Sequence, residues 1–361
     1  MWLKTANPLK EILKYGQSVW YDGLVSEEEF AAMIREDGIR GATTNPTIFE
    51  KALSGSEYDA EIAAFGARHA EDEIYRTLAV RSVQKVADLF LPVYDRTRGC
   101  DGFVSIEVSP LLAYDTAATV EEARLLYRAV DRKNIMIKVP ATPAGIPAIE
   151  TLISEGISVN VTLIFSVKRH EEVMLAYLSG LEKGLAAGRP VSEPASVASF
   201  FVSRVDTLAD KEIEAKGEAF KGFLGKTAIA NSKIAYANFE RIFSDERFKK
   251  LKARGAKVQR PLWASTGTKN PAYGDVLYVE SLIGPDTVNT IPPATLAAFR
   301  DHGKAEPLLK TDLADAEKTL RALRGAGVDL DLITRELEDA GVRLFADSYT
   351  RILEGIRRKI K

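Results

Sequence analysis

The sequence of 361 residues predicts an α/β fold, a (β/α)8 TIM barrel with additional helices at its N- and C-terminal ends. Short runs of β-forming residues alternate with longer stretches of helical periodicity, and eight such units fit into about 300 residues, which is typical of a closed parallel barrel. The alternative is an open doubly wound sheet. That fold usually carries a glycine-rich phosphate turn after its first strand, and no such turn follows Tyr21 or Thr44.

The eight strand candidates are short, and several are almost continuously apolar, as expected for strands that helices cover on their outer side. In chain order they are residues 18–22, 39–45, 103–108, 135–139, 158–165, 197–202, 261–265 and 287–291. Between them, apolar residues recur three and four positions apart, as at Ala123, Leu126, Tyr127 and Val130. That spacing predicts amphipathic helices.

Residues 303–361 extend beyond the eighth strand. The pattern indicates a connection over residues 303–315 and two helical stretches on either side of a break at residues 325–329. The last helix carries one stripe of mainly apolar residues: Leu337, Gly341, Leu344, Phe345, Ser348, Ile352, Ile356 and Ile360. Such a stripe is typical of core packing. We therefore expect residues 1–361 to form a single domain, with 303–361 as a helical extension packed on the barrel.

The composition argues against several classes of protein. Apolar residues make up 46% and charged residues 28% of the chain, as in soluble globular proteins. The net charge of -2 and the lack of a basic stripe give no support for a nucleic-acid partner. No run approaches the roughly 18 apolar residues of a membrane span. The sequence leaves both a monomer and a homodimer open.

The few cysteines and histidines bear on location and cofactors. The single Cys100 cannot form an internal disulfide, and residues 1–8 lack the apolar stretch of a signal peptide, so we expect a cytoplasmic protein. The three histidines, His69, His170 and His302, have no second histidine at metal-ligand spacing. We therefore expect neither a metal nor another cofactor.

Lys138 is the most unusual residue of the predicted strands. It lies in Ile135-Met136-Ile137-Lys138-Val139, although lysine is rarely buried without a partner. A lysine that reaches solvent from a strand edge is the structural alternative. The functional interpretation is an amine nucleophile, because an apolar environment favours the neutral, reactive form of an amine.

Polar residues at other strand ends point to the same end of the barrel, where catalytic side chains of this fold lie. Glu107 shares strand parity with Ser105, so both can face the interior; a structural ion pair is the alternative for Glu107. Asp22 precedes a glycine, which also suits a helix cap or a turn. Two further pairs share inward parity: Thr43 with Asn45, and Asn160 with Thr162.

Four segments of the chain resemble signatures of the transaldolase family. They are residues 41–49, with Thr43-Thr44-Asn45-Pro46; residues 135–152 around Lys138; residues 160–166; and residues 199–204, Ser-Phe-Phe-Val-Ser-Arg. The resemblance covers roughly residues 15–295 in the family's order and spacing. It implies a sugar-phosphate enzyme of the pentose phosphate pathway that moves dihydroxyacetone from sedoheptulose 7-phosphate to glyceraldehyde 3-phosphate. The products would be erythrose 4-phosphate and fructose 6-phosphate.

The resemblance also implies roles for individual residues. Lys138 would form a Schiff base with the ketose carbonyl, and Asp22 would take the proton of the C4 hydroxyl. Glu107, together with Thr162, would hold a water that transfers protons. The implied substrate-binding residues are Asn45, Thr43, Asn160, Ser199, Phe201, Arg204, Ser265 and Lys269.

Strand seven departs from the family pattern. Many members carry serine, one residue and then arginine, whereas this chain reads Ala264-Ser265-Thr266-Gly267-Thr268-Lys269. We expect Arg204 to hold the substrate phosphate and Lys269 to replace the missing arginine, as a point charge in place of a planar fork.

Two rival functions remain. A fructose 6-phosphate aldolase releases free dihydroxyacetone, and such proteins carry Gln and Tyr at the positions of Glu107 and Phe201. A sugar-phosphate-binding barrel without catalysis would have no use for the costly buried side chains of Lys138, Asp22 and Glu107.

Overall fold

Eight parallel strands close into a barrel in the computed structural model, which describes residues 7–360. Each strand pairs with the next along the chain, and the eighth pairs with the first. The strands are β1 (Gln17–Asp22), β2 (Ala42–Thr43), β3 (Val104–Glu107), β4 (Ile135–Pro140), β5 (Val159–Ile164), β6 (Ser196–Phe201), β7 (Arg260–Ala264) and β8 (Thr287–Ile291). The predicted (β/α)8 barrel is confirmed. Residues 1–6, on which part of the signal-peptide argument rests, and Lys361 lie outside the described residues.

Fifteen α-helices connect and surround the strands within the described residues. They are α1 (Pro8–Lys14), α2 (Glu27–Glu36), α3 (Pro46–Ser54), α4 (Asp59–Phe65), α5 (Glu71–Arg96), α6 (Thr116–Val130), α7 (Gly145–Ser154), α8 (Val167–Ala186), α9 (Ser203–Ala215), α10 (Thr227–Phe243), α11 (Glu246–Lys252), α12 (Leu277–Ser281), α13 (Pro293–His302), α14 (Leu313–Gly325) and α15 (Leu330–Ile360). None of these helices has the length and hydropathy needed to cross a membrane.

Local sequence explains where the helices near the barrel mouth begin. The hydroxyl of Ser26 accepts a hydrogen bond from the backbone amide of Glu29, and the carboxylate of Glu29 accepts one from the backbone amide of Ser26. This reciprocal pair is a capping box at the start of α2. Asn45 caps α3 through a bond from the Ile48 amide, and Pro46 occupies the first helical position. These caps end the preceding strands at fixed residues and so place their last side chains at the mouth.

Apart from β2, the observed strands end within one residue of the predicted ends, and two features depart from the predicted pattern. Strand β2 has only two residues, shorter than the predicted 39–45, because Asn45 already turns to cap α3. The register between β5 and β6 shifts between Val161 and Ile164, and Leu163 has a φ of +60°. Such an irregularity re-aims neighbouring side chains at a barrel rim.

The C-terminal helix α15 packs against α3, α5 and β5. Gly341 allows this approach, since a Cβ there would lie 2.8 Å from a methyl of Leu163. The predicted stripe is buried at most positions, but Leu344 is 38% exposed and lines the barrel mouth. Helix α14 begins at Leu313, two residues earlier than the predicted end of the connection. The assignment of the chain to a single domain stays a prediction.

Candidate active site

A cavity of about 280 Å³ opens at the carboxyl ends of the strands. It brings together ten of the twelve side chains predicted from the sequence: Asp22, Thr43, Asn45, Lys138, Thr162, Ser199, Phe201, Arg204, Ser265 and Lys269. The other two, Glu107 and Asn160, do not line the cavity but contact residues that do.

Lys138 is almost completely buried, at 4% exposure, near the end of β4. Its Nζ donates a 3.1 Å hydrogen bond to the backbone carbonyl of Thr44 and lies 3.3 Å from Oε2 of Glu107. The ring of Phe345, from α15, covers the amine at 5.6 Å from its centroid. The alternative of a lysine that reaches solvent is therefore wrong, and the amine faces the cavity.

Glu107 is buried beside Lys138, and burial raises the pKa of its carboxyl group, although the positive charge of Lys138 opposes the shift. The ion pair considered from the sequence is thus present. Oγ1 of Thr162 is buried without a hydrogen-bond partner among the described residues, and the ion-pair contact with Lys138 leaves Oε2 of Glu107 without a well-aligned hydrogen bond. Two such unsatisfied groups near a reactive amine can bind a water or a reaction intermediate.

Asp22 ends β1 on the cavity wall. Its Oδ1 accepts a 2.7 Å hydrogen bond from the hydroxyl of Thr43, which lies 2.6 Å from that of Thr290 on β8. Burial raises the pKa of Asp22, while Lys138 and the Thr43 hydrogen bond pull it down. The helix-cap alternative is wrong for Asp22, since Ser26 caps α2.

The two asparagines differ in their surroundings. Asn45 lines the cavity while its Oδ1 caps α3. Asn160 is fully buried; its Nδ2 donates to Oγ of Ser105 at 3.0 Å, and its Oδ1 accepts from Oγ of Ser199 at 2.7 Å. Asn160 therefore holds the cavity residue Ser199 in place, and its direct contact with a substrate stays a prediction.

Three cations line the outer part of the cavity: Arg204 at the start of α9, Lys269 after β7, and Lys51 on α3. Arg204 stacks on Phe201, with its guanidinium 5.6 Å from the ring centroid. Burial lowers the pKa of Arg204, and partial burial together with the charge of Arg204 lowers that of Lys269. Neighbouring cations that are partly removed from solvent favour an anionic ligand.

The sequence interpretation missed several residues that line this cavity, and four of them bear on its chemistry or its cover. Thr290 could have been found, because it lies on a predicted strand near its carboxyl end. Lys51, Leu344 and Phe345 come from helices, and nothing in their local sequence marks them as cavity residues. No cluster of three or more His, Cys, Asp or Glu within residues 7–360 is arranged to hold a metal.

The arrangement suits a specific kind of chemistry. A buried amine can add to a carbonyl group, and two carboxyl groups with raised pKa values can exchange protons near it. The cations lie toward the outer wall, where the charged end of an extended substrate would reach. The cavity therefore fits a carbonyl compound that carries an anionic group.

Sequence comparisons agree with this geometry. The sequence model of the transaldolase/fructose-6-phosphate aldolase family matches residues 19–356. A transaldolase of Mycolicibacterium smegmatis is 47% identical over 96% of this chain and 95% of its own length. A transaldolase of Acidothermus cellulolyticus is 46% identical over 98% and 97% of the two chains, and one of Trichodesmium erythraeum is 44% identical over 98% of both.

Proposed function

This chain belongs to the transaldolase/fructose-6-phosphate aldolase family, and we propose that it is a transaldolase whose Schiff-base residue is Lys138. It transfers a dihydroxyacetone unit from sedoheptulose 7-phosphate to glyceraldehyde 3-phosphate, giving erythrose 4-phosphate and fructose 6-phosphate. The observation that carries the residue assignment is the buried Nζ of Lys138, 3.3 Å from Glu107, in a cavity that also holds Asp22 and three cations.

The first half-reaction joins Nζ of Lys138 to C2 of the ketose and breaks two bonds of the ketose, C2–O and C3–C4. The neutral amine of Lys138 adds to C2 of the ketose, and loss of water gives an iminium. Glu107, with the hydroxyl of Thr162, relays the protons of this dehydration through a water. Asp22 then takes the C4 hydroxyl proton, and the C3–C4 bond breaks. The electron pair of that bond moves into the iminium, which gives an enamine and a free aldehyde.

The second half-reaction reverses these steps with another aldehyde. The enamine carbon attacks the carbonyl of glyceraldehyde 3-phosphate, and Asp22 returns its proton to the new hydroxyl. Water then hydrolyses the iminium and releases the ketose from Lys138. Asn45 and Ser199, the latter held by its hydrogen bond to Asn160, hold the dihydroxyacetone hydroxyls so that the enamine stays bound until the aldehyde arrives.

The phosphate groups of donor and acceptor bind at the outer wall. Arg204 offers a planar fork that matches phosphate oxygens, and Lys269 supplies a point charge beside it. Ser265 and Phe201 complete this wall of the cavity. Sugar phosphates are thus the partners of the site; a cytoplasmic location and a monomeric or homodimeric state are part of the same proposal.

Reductive trapping tests the proposal. Borohydride with fructose 6-phosphate should leave a dihydroxyacetone-derived adduct on the peptide that contains Lys138. Lys233, the other buried lysine within residues 7–360, serves as an internal control. It lies outside the cavity, and its Nζ donates a 2.8 Å hydrogen bond to the carbonyl of Thr311. An adduct on neither lysine, or on Lys233 alone, would contradict the mechanism.

A product assay separates the two activities in the family's name. The assay uses sedoheptulose 7-phosphate as donor and glyceraldehyde 3-phosphate as acceptor. At acceptor concentrations near its KM, we expect the rate of transfer to exceed the rate at which free dihydroxyacetone is released. Release that is unaffected by the acceptor would instead indicate an aldolase. The variant Lys138→Ala should fold, as judged by circular dichroism, and lose both activities.

A further inference from the structure

Two buried carboxylates on α9, Asp206 and Asp210, lie outside the cavity and have no part in the proposed chemistry. They are four residues apart and therefore share one face of the helix. Asp206 is 1% and Asp210 is 8% exposed. Carboxylates at such positions require hydrogen-bond partners, and the identity of the partners indicates what the pair does.

Each carboxylate accepts a hydrogen bond from a tyrosine of the segment that follows β7. The hydroxyl of Tyr278 donates to Oδ2 of Asp206 at 2.8 Å, and the hydroxyl of Tyr273 donates to Oδ2 of Asp210 at 2.7 Å. Burial raises the pKa of both phenols, so both remain proton donors at neutral pH. Burial also raises the pKa of both carboxyl groups, that of Asp206 to about 7, whereas the hydrogen bonds from the tyrosines favour the ionised forms.

The second oxygen of each carboxylate holds the segment before α10. Oδ1 of Asp206 accepts from the backbone amide of Ala228 at 2.7 Å, and Oδ1 of Asp210 accepts from that of Gly225 at 3.0 Å. Gly225 has a φ of +71°, and a Cβ there would lie 2.9 Å from the ring of Tyr273. These backbone hydrogen bonds fix the two carboxylates independently of the tyrosines, so the carboxylates can serve as anchors for the segment that carries the tyrosines.

The segment held in this way carries Lys269. Tyr273 fixes it four residues after the lysine. Before the lysine, the carbonyl of Ser265 accepts from the amide of Ser203 at 3.1 Å, at the start of α9. Both anchors lead to α9, and α9 also carries Arg204 as its second residue. Helix α9 therefore positions both proposed phosphate-binding cations: it carries Arg204 directly and anchors the segment that carries Lys269.

We propose that Tyr273 and Tyr278, through Asp210 and Asp206, are positioning residues that set Lys269 relative to Arg204 and thereby determine the preference for phosphorylated aldehydes. This inference rests on the proposed function. A lysine is a point charge on a flexible stem and gains its specificity from the backbone that holds it. Ordering that backbone before the substrate arrives removes an entropic cost from binding.

The experiment compares two acceptors, glyceraldehyde 3-phosphate and unphosphorylated glyceraldehyde, at saturating sedoheptulose 7-phosphate, with release of erythrose 4-phosphate as the readout. For Tyr273→Phe and Tyr278→Phe combined, we expect KM for the phosphorylated acceptor to rise about tenfold, since misplacing a binding group by about 1 Å can cost up to roughly 100-fold. KM for glyceraldehyde and kcat at saturation should stay within about twofold of the wild type. Tyr177→Phe is the matched control, because its buried hydroxyl bonds only the carbonyl of Lys257, at 2.8 Å.

Equal losses with both acceptors, or no change with either, would overturn the positioning role. If the double variant does not fold, Tyr273→Phe alone carries the test, because Tyr273 is only partly buried. Direct binding of inorganic phosphate, measured by calorimetry on wild type and variants, needs no turnover. A wild-type enzyme without transfer activity would therefore refute the proposed function, whereas unchanged phosphate affinity in the variants would refute this inference.

Discussion

The hydroxyl of Thr43 donates a 2.7 Å hydrogen bond to Oδ1 of Asp22 and lies 2.6 Å from the hydroxyl of Thr290. Since Thr43 uses its proton on Asp22, Thr290 must be the donor in the second bond. Strands β8, β2 and β1 are thereby linked by a chain of hydroxyls that ends on the carboxylate. This chain favours the ionised form of Asp22, whereas burial favours the neutral form.

The first prediction concerns the pH dependence of Thr43→Val. The base in carbon–carbon cleavage is the carboxylate of Asp22, so kcat/KM should rise as pH increases through the raised pKa of Asp22. Removing the Thr43 hydroxyl removes a bond to the charged form and raises this pKa further. The acid limb of the profile should therefore shift to higher pH.

The control for this measurement is Thr119→Val on the outer helix α6. It removes a buried threonine hydroxyl that donates a hydrogen bond to the carbonyl of Leu112, which precedes α6. Its acid limb should coincide with that of the wild type. An unshifted limb in Thr43→Val, or a shift to lower pH, would show that Asp22 is not the base.

A second prediction concerns Glu107→Gln. Loss of the carboxyl group next to Lys138 should lower kcat by about 10²–10⁴-fold, the usual contribution of a general acid–base group. The amide keeps the volume of the side chain, so Lys138 should still be trapped by borohydride, only more slowly. Rapid-quench measurements of Schiff-base formation provide the readout. Glu182→Gln, on the surface of α8, is the control and should behave as the wild type. If the kcat of Glu107→Gln stayed within threefold of the wild-type kcat, Glu107 would be only a structural ion-pair partner of Lys138.

The third prediction ranks the three cations of the cavity. Arg204→Met and Lys269→Met should each raise KM for glyceraldehyde 3-phosphate by about 10–100-fold, since a hydrogen bond to a charged group contributes about 1.5–3 kcal/mol. Lys51→Met should have a smaller effect, because Arg204 and Lys269 both interact electrostatically with the buried Asp22, whereas Lys51 lies exposed on α3. KM for unphosphorylated glyceraldehyde should change little in all three variants. If Lys51→Met had the largest effect, the phosphate would bind on the α3 side of the cavity.

Much of the barrel could be predicted because its strands are short, apolar and separated by amphipathic segments. Strand parity was equally informative for the site, since it correctly placed Thr43 and Thr162 on the inner side. The lysine on β4 was conspicuous because an apolar strand gives a charged group no solvent. Each of these signals depends on a few consecutive residues, so it can be recognised without knowledge of the tertiary structure.

The remaining features depend on tertiary packing. Lys51 and Phe345 enter the cavity because α3 and α15 pack over the mouth, and no periodicity specifies which face of a helix meets which strand end. Leu344 was placed in the buried stripe of α15 because its spacing fits, yet it lies at the edge of the stripe and faces the mouth. The length of β2 was overestimated because strand propensity does not show that Asn45 caps a helix.

The last prediction concerns the C-terminal helix and its Phe345. This side chain is 3% exposed, and its ring covers the amine of Lys138 at 5.6 Å. In Phe345→Leu, the smaller side chain should admit water to the enamine, so that part of the dihydroxyacetone is released by hydrolysis before the second aldehyde binds. Release relative to transfer should rise several-fold at limiting glyceraldehyde 3-phosphate.

Stability separates this effect from a general loss of packing. Phe345→Leu should lower the free energy of unfolding by about 1 kcal/mol, as expected for a modest change of shape in the core. Phe248→Leu is the matched control, because Phe248 is equally buried but lies on α11 at the opposite end of the barrel. Both variants should lose similar stability in urea denaturation, while only Phe345→Leu changes the ratio of release to transfer. If that ratio changed in both variants or in neither, α15 would stabilise the barrel without protecting the intermediate on Lys138.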